Sequence, residues 1–391
     1  IRMEMGVPGL PPPEIATRAE IEALNRGVAA IYPPIEGVAE LKEETARFLK
    51  LFLDVDIQPA GCIPTCGSMQ GSCACYMTVN RTDRNKEGTL FIDPGFPVHK
   101  QQCHVLGHAF KSFDIYDYRG KKLRYKLESY LASGKISSLI YSNPNNPSWI
   151  CFNEEELAII GELADKYDVV VLEDLAYFGM DFRKDISHPG KPPYQPTVAK
   201  YTENYILLVS TSKIFSYAGQ RIAMLAVSDR LFNRRYPDLL RYFTSDRLGH
   251  SIIYGALYAL SAGAAHSAQI GVAALMHEIN EGRVPLLDEV RQYGERAATM
   301  KKMFTGNGFR IVYDMDQDVP VADGFYFTIS YPGFSGSELL AELLRYGISA
   351  ITLDITGSTR TEGLRACVSQ IKPDLFPLLE ERLALFNRDH S

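Results

Sequence analysis

The densest chemistry in the chain lies in Ser210-Thr211-Ser212-Lys213-Ile214-Phe215-Ser216-Tyr217-Ala218-Gly219-Gln220-Arg221. The segment follows directly on the apolar run Tyr205 to Val209, which reads as a buried strand. A lysine at a strand end among hydroxyls loses its proton more readily than one in water, and a neutral amine can add to a carbonyl carbon to form an imine. A solvated lysine in a polar loop is the plainer alternative, and this segment alone favours it. Upstream, Val169-Val170-Val171-Leu172-Glu173-Asp174 ends on a carboxylate, with Leu175-Ala176-Tyr177 behind it. At the carboxyl end of a parallel strand such an aspartate faces a ligand crevice, whereas in isolation it serves as a cap or turn residue. Tyr141-Ser142-Asn143-Pro144-Asn145-Asn146-Pro147 again follows an apolar strand, and Asn-Pro pairs make turns by default.

All three segments need a sheet to hold them at a common edge. Apolar runs at Leu90-Phe91-Ile92, Ser137 to Tyr141, Val169 to Leu172, Tyr205 to Val209 and Ile222 to Val227 predict buried strands. Between two of them Asn153 and Glu156 form a capping pair, and Leu157, Ile160, Leu163 and Ala164 give a helical stripe. Strand-helix alternation of this kind predicts an α/β domain with a mostly parallel central sheet covered by helices on both faces. Near the start, Thr17-Arg18-Ala19-Glu20 reads as a capping box with Gly27 as the helix stop, and a second amphipathic helix is expected from Val38 to Phe52. The last third shows helical pattern from about Glu278 to Phe304, then strands at Phe309 to Val312 and Phe325 to Ile329. Helix, strand and helix follow at Leu339 to Tyr346, Leu364 to Val368 and Leu375 to Phe386. The expected organisation is a large domain over residues 38–276 and a smaller α+β domain built from the N- and C-terminal segments, 1–37 and 277–391.

Composition narrows the possibilities. With 391 residues, 46% apolar and 23% charged, the chain has the make-up of a folded globular protein. A net charge of -6 offers no basic field for a phosphate backbone, so nucleic acid is not an expected partner. Seven cysteines without regular spacing, and no signal-peptide pattern at the N-terminus, point to a reducing cytoplasm. The chain opens on Ile1, which raises the expectation of residues upstream. Ile252 to Met276 approaches membrane-spanning length, but its Gly, Ala and Ser content with His266 and Gln269 inside it reads as a buried helix, and no membrane partner is expected.

Taken in order, Asn143-Pro144-Asn145-Asn146-Pro147, then Asp174-x-Ala176-Tyr177, then Ser210-x-Ser212-Lys213 with Arg221 eight residues on, resembles the class I/II aminotransferases. These are fold type I enzymes of pyridoxal 5'-phosphate (PLP), the aspartate aminotransferase-like superfamily, and the resemblance runs from about Gly6 to the C-terminus. It implies a transaminase that moves an amino group from an amino acid to a 2-oxo acid in ping-pong order, with PLP held as an internal aldimine on Lys213, which also moves the α-proton. It further implies that Asp174 pairs with the pyridinium nitrogen, and that Asn146 and Tyr177 bond the ring's phenolic oxygen. Ser210, Ser212 and Arg221 would hold the phosphate, joined by Gly67, Ser68 and Met69 of Cys66-Gly67-Ser68-Met69-Gln70, which opens a helix whose free N–H groups suit an anion.

By the same resemblance Phe96 in Asp93-Pro94-Gly95-Phe96-Pro97 stacks on the cofactor, with a plain core residue as its alternative. Arg365 in Glu362-Gly363-Leu364-Arg365 clamps the substrate α-carboxylate, with Gly6 also in the substrate site. Tyr32 reaches the phosphate of a neighbouring subunit, which implies a homodimer with active sites at the subunit interface. The chain departs from the family at Ser148-Trp149, where Thr-Gly is usual, and at Leu175 beside Asp174. A lyase or decarboxylase on the same scaffold and a non-catalytic ligand sensor are the rival readings, the latter disfavoured by the lack of a DNA-binding segment. Cys62, Cys66, Cys73 and Cys75 lack zinc-ribbon spacing and read as small buried residues on a helix; Cys103, His104 and His108 do not make a metal site either. Arg247, in Thr244-Ser245-Asp246-Arg247-Leu248-Gly249, is a candidate reader of a distal carboxylate, which would favour acidic substrates.

Overall fold

A computed structural model describes residues 1–86 and 88–391. Its central element is a seven-stranded sheet in the order β1-β7-β6-β5-β4-β2-β3. The strands are β1 (Cys62–Thr65), β2 (Gly88–Asp93), β3 (Ala109–Asp114), β4 (Ile136–Ser142), β5 (Val170–Leu175), β6 (Tyr205–Ser210) and β7 (Ala223–Val227). From β3 to β6 every neighbour is parallel, whereas β7 runs antiparallel to both β6 and β1. The carboxyl ends of β1, β2, β4, β5 and β6 therefore share one edge with the amino end of β7. That mostly parallel sheet between helical layers is the α/β architecture expected from the sequence.

Alternation along the strands divides the sheet into two cores. In β6, Ile206 and Leu208 pack with α3 (Ser68–Val79), while Leu207 and Val209 pack in the layer containing α2 (Ala39–Leu53) and α6 (Glu154–Tyr167). The helix α1 (Glu14–Asn25) lies on the large lobe, against α10 (His266–Asn280), which in turn packs on α2. The remaining helices of this lobe are α4 (Pro97–Leu106), α5 (Lys122–Leu131) and the short α7 (Asp229–Asn233), α8 (Leu248–His250) and α9 (Tyr258–Ser261).

The last third forms a four-stranded antiparallel sheet in the order β12-β13-β11-β8, from β8 (Arg310–Ile311), β11 (Tyr326–Ser330), β12 (Ile351–Thr352) and β13 (Leu364–Cys367). A small ribbon of β9 (Met315–Asp316) and β10 (Val319–Pro320) adjoins it, with α11 (Arg291–Gly306), α12 (Gly336–Arg345) and α13 (Phe376–His390). Residues 1–9 are laced onto this lobe: Met3 N–H donates to Ser349 O, Cys367 N–H donates to Met3 O, and Ser369 Oγ donates to Val7 O.

Four local expectations are corrected. The first helix starts at Glu14, ahead of the Thr17 box, because Pro13 at φ -61° and ψ 130° sets its entry; the Thr17 hydroxyl donates back to Pro13 O instead of capping. The stretch from Ile252 to Met276 is not one helix. A π-helical turn at Ser251–Leu257 leads into α9, and Ala262 and Gly263, both at positive φ, break the chain before α10. Likewise α10 stops at Asn280, with Gly282 at φ 71° behind it, and α11 begins only at Arg291. Of the four clustered cysteines, Cys62 lies on β1 and Cys66 follows that strand; Cys73 and Cys75 are on α3, and all seven cysteines are unpaired.

A buried ionic network ties the lobes together. Arg119 donates from Nε and Nη2 to the two oxygens of Glu156, at 2.7 and 2.9 Å, and from Nη1 to Asp316 at 2.8 Å. Glu156 also accepts from Gly120 N–H and from Asn153 N–H, completing the capping box of α6. Removing one partner of such a pair strands a charge in low dielectric. Glu156→Ala should therefore cost about 3–5 kcal/mol and Asn153→Ala about 1 kcal/mol, read from urea midpoints; a Glu156→Ala cost no greater than that of the lost cap would show that the network adds no stability.

Candidate active site

Because β1, β2, β4, β5 and β6 all end at one edge, the segments that follow them converge there. A cavity of about 340 Å³ at that edge is lined by Gly6, Ser68, Met69, Phe96, Asn146, Asp174, Tyr177, Ser210, Ser212, Lys213, Arg221 and Arg365. The reversal of β7 accounts for Arg221: it precedes its strand, yet stands at the same edge as residues that follow theirs.

Lys213 sits just beyond β6 in a loop held by Thr211 Oγ1, which donates to Ile222 O at 2.7 Å, and by Ser212 N–H, which donates to Ser210 Oγ at 3.2 Å. Its ammonium lies 6.0 Å from the Phe325 ring centre. Burial lowers its pKa from 10.5 to about 8; nearby Arg221 and Arg365 push the same way, against Cys367 and Asp174. Asp174 is buried at the end of β5, with His99 Nε2 at 3.4 Å from Oδ2 and Ala176 N–H donating to Oδ1 at 3.1 Å. Its neighbour Glu173 points to the opposite face, accepting from Thr197 Oγ1 and Val198 N–H, and burial lifts its pKa to about 7.

At the amino end of α3 the N–H groups of Ser68 and Met69 lie in the first turn, where a helix has no carbonyls for them. Gly67 caps this helix at φ 76° with the Arg221 guanidinium directly against it, so that any Cβ at position 67 would collide with Nη2. Opposite, Arg365 is buried on β13. It donates from Nη2 to Glu4 O at 2.7 Å and from Nη1 to Asn146 Oδ1 at 3.2 Å, and its guanidinium stacks 4.4 Å over the Tyr326 ring. The Tyr177 and Tyr326 hydroxyls are 2.7 Å apart, and burial raises both pKa values, that of Tyr326 to about 12. Gly6 lets the N-terminal segment cross this pair, since a Cβ there would strike the Tyr326 hydroxyl.

Two predicted residues stand elsewhere. Tyr32 is 87% exposed and lines no part of the cavity of its own chain, and Arg247 is a surface residue at the start of α8. His99, Tyr326, Val7, Val98, Ile351 and Ile355 line the site without a motif that marks them in the sequence. His99 had a weaker signal, since Phe96 and His99 are three apart at the start of a helix and share a face. Trp149 fills the position of the unusual Ser-Trp pair at φ 63°, fully buried with its ring 5.3 Å from Tyr177, and Gly324 leaves room for the indole. The turn closes despite the substitution, with Trp149 N–H donating to Asn145 O and Ser148 Oγ donating to Asn145 Oδ1.

The fold is that of the aspartate aminotransferases. The enzyme of that name from Thermotoga maritima matches with a TM-score of 0.79 over 99% of this chain and 92% of its own, at 16% identity. Substrate-bound BacF from Bacillus subtilis matches with a TM-score of 0.79 over 99% and 90%, at 18% identity. The chain belongs to the aminotransferase class I and II family, which it matches over residues 1–375 and whose members use PLP. Among curated relatives, the probable aspartate aminotransferase of Methanocaldococcus jannaschii is 27% identical over 231 residues, 59% of this chain and 58% of that protein. The glutamate-pyruvate aminotransferase AlaC of Escherichia coli is 28% identical over 231 residues, 58% of this chain and 53% of that protein. The matched region thus spans less than three-fifths of these relatives' length.

The donor set fits PLP. Free helix N–H groups, two serine hydroxyls and an arginine packed against a Cβ-less residue suit a phosphate. A buried carboxylate suits a protonated ring nitrogen, and a desolvated amine suits an aldehyde. An amine of pKa about 8 is roughly a tenth neutral at pH 7, against on the order of one part in three thousand at the ordinary value. Uptake of PLP by the cofactor-free protein should therefore quicken about tenfold from pH 6 to pH 7 and level off above pH 8. A rate still climbing steeply at pH 10 would show that Lys213 has an ordinary pKa.

Proposed function

We propose that the chain is a PLP-dependent aminotransferase acting on small amino acids and 2-oxo acids, with Lys213 as its covalent and proton-moving residue. The observation that carries this reading is the desolvated amine of Lys213 set among Asp174, Arg221 and Arg365 in one cavity. Bound PLP supplies an aldehyde carbon for amines and an electron-accepting ring. The residues around it have separable roles. Asp174, backed by His99, would keep a proton on the ring nitrogen. Asn146 and the Tyr177 hydroxyl would bond the ring's phenolic oxygen, and Phe96 would cover one ring face. Ser68, Met69, Ser210, Ser212 and Arg221, with Gly67 giving the clearance, would hold the phosphate.

Arg365 would grip the α-carboxylate in the planar, two-point manner of a guanidinium, with Gly6 closing over it. With the carboxylate held there, Nζ of Lys213 in the same cavity would take the α-proton as a neutral amine and return it as ammonium. The reaction runs in two half-reactions, the donor leaving as a 2-oxo acid before the acceptor enters. The apolar patch of Ile31, Tyr32, Tyr258, Leu260 and Met69 supports a second copy of this chain as partner. Two hydrogen bonds bring their segments together in pairs, His266 Nδ1 to Ile31 O at 3.1 Å and Gln70 Nε2, next to Met69, to Ser261 Oγ, next to Leu260, at 2.7 Å. Tyr32 would then reach the partner's site. Unpaired cysteines support a reducing compartment such as the cytoplasm, and among the described residues no helix is long and apolar enough to cross a membrane.

Borohydride treatment of the PLP-loaded protein should fix the pyridoxyl group on the peptide containing Lys213, and a label on any other peptide would refute the assignment. Lys213→Ala should lower the rate of each half-reaction by about four orders of magnitude, and Arg365→Lys should raise KM for the amino donor roughly tenfold or more.

A further inference from the structure

Resting on the transaminase reading, we propose that the side-chain end of this cavity is a subsite for a neutral, apolar amino-acid side chain, so that aliphatic amino acids such as leucine and methionine are donors and dicarboxylic ones are not. The cations in the lining are Lys213, Arg221 and Arg365, and they are already committed to the amine chemistry, the phosphate and the α-carboxylate respectively. His99 is turned to Asp174. Left over for a side chain are chiefly Val7, Pro97, Val98, Ile351 and Ile355, and the Thr356 hydroxyl beside them is already spent, donating to Leu353 O at 2.5 Å.

Two basic groups that adjoin this wall along the chain are occupied. Lys100 is bound to the buried Asp93 beneath Gly357, where a Cβ would collide with both side chains. Arg360 pairs with Asp117 at 2.9 Å and lies 4.4 Å over the Tyr116 ring. Arg247 stands on the surface and lines no part of the cavity of its own chain. On a second copy seated on the apolar patch, Tyr32, Tyr258 and Leu260 are rings and an alkyl group, and the His266 ring among them is turned to Ile31 O. A distal carboxylate in this subsite would give up part of its water and gain no cation from the lining, whereas a branched alkyl chain or a thioether gives up no polar solvation.

The test has two arms on the PLP-loaded protein. In the first, the donor half-reaction is followed by cofactor absorbance with leucine, methionine, aspartate and glutamate. Leucine or methionine should exceed aspartate in efficiency by about 100-fold or more. Ile355→Arg, at a position 52% exposed and so tolerant of a long side chain, should narrow that gap at least about tenfold by offering a carboxylate its missing partner. In the second arm, the unreactive acids 4-methylpentanoate and succinate are compared by thermal shift, and the first should raise Tm while the second leaves it unchanged.

Aspartate or glutamate reacting as fast as leucine, or succinate stabilising more than 4-methylpentanoate, would overturn the subsite, whichever subunit supplies the cation. Absence of any absorbance change with all donors would count against the transaminase reading instead. The acid-binding arm would then still decide the subsite.

Discussion

The site depends on keeping one amine away from water without giving it a full counter-charge. Lys213 lies in a loop between β6 and β7, close to two guanidinium groups and 6.0 Å from the centre of the Phe325 ring. A lysine in such surroundings is costly for the folded protein, because desolvation and like charge both disfavour its ammonium form. The fold tolerates it because the loop is held from both sides: the Thr211 hydroxyl grips the backbone ahead of β7, and the strands on either side are fully buried.

Sheet polarity explains how the other groups gather. Five strands end at the cavity edge, so a short step beyond each is enough to bring a carboxylate, an amide, a ring and an amine together. The antiparallel β7 adds a sixth chain segment from the opposite direction, and with it Arg221. Period-two alternation then separates two adjacent carboxylates. Asp174 faces the crevice, while Glu173 is turned inward, where Thr197 and Val198 hold it.

Legibility in the sequence followed the range of the interactions. Buried strands at β2, β4, β5, β6 and β7 could be read from short apolar runs, and the α6 capping box from two residues three apart. β1 and β3 were missed; Cys62–Thr65 is only four residues long and contains a proline, and β3 is a half-exposed edge strand. The cavity residues that follow strands stood out as polar groups behind apolar runs. Val7, Val98, Ile351 and Ile355 did not, because an aliphatic wall residue has the same chemistry as a core residue and only tertiary placement distinguishes them. Tyr326 was hidden for the same reason inside an apolar strand, and its hydroxyl meets that of Tyr177 from 149 positions away.

Trp149 gives the molecule an optical property of its own. It is the single indole in the chain, sealed from solvent and edge-on to the Tyr177 and Tyr326 rings that form the cavity wall. An indole in so apolar a setting emits at short wavelength, and a chromophore absorbing in the near ultraviolet a few ångströms away would quench it by resonance energy transfer. The intrinsic fluorescence of the protein is thus a direct gauge of what occupies the space on the other side of those two tyrosines.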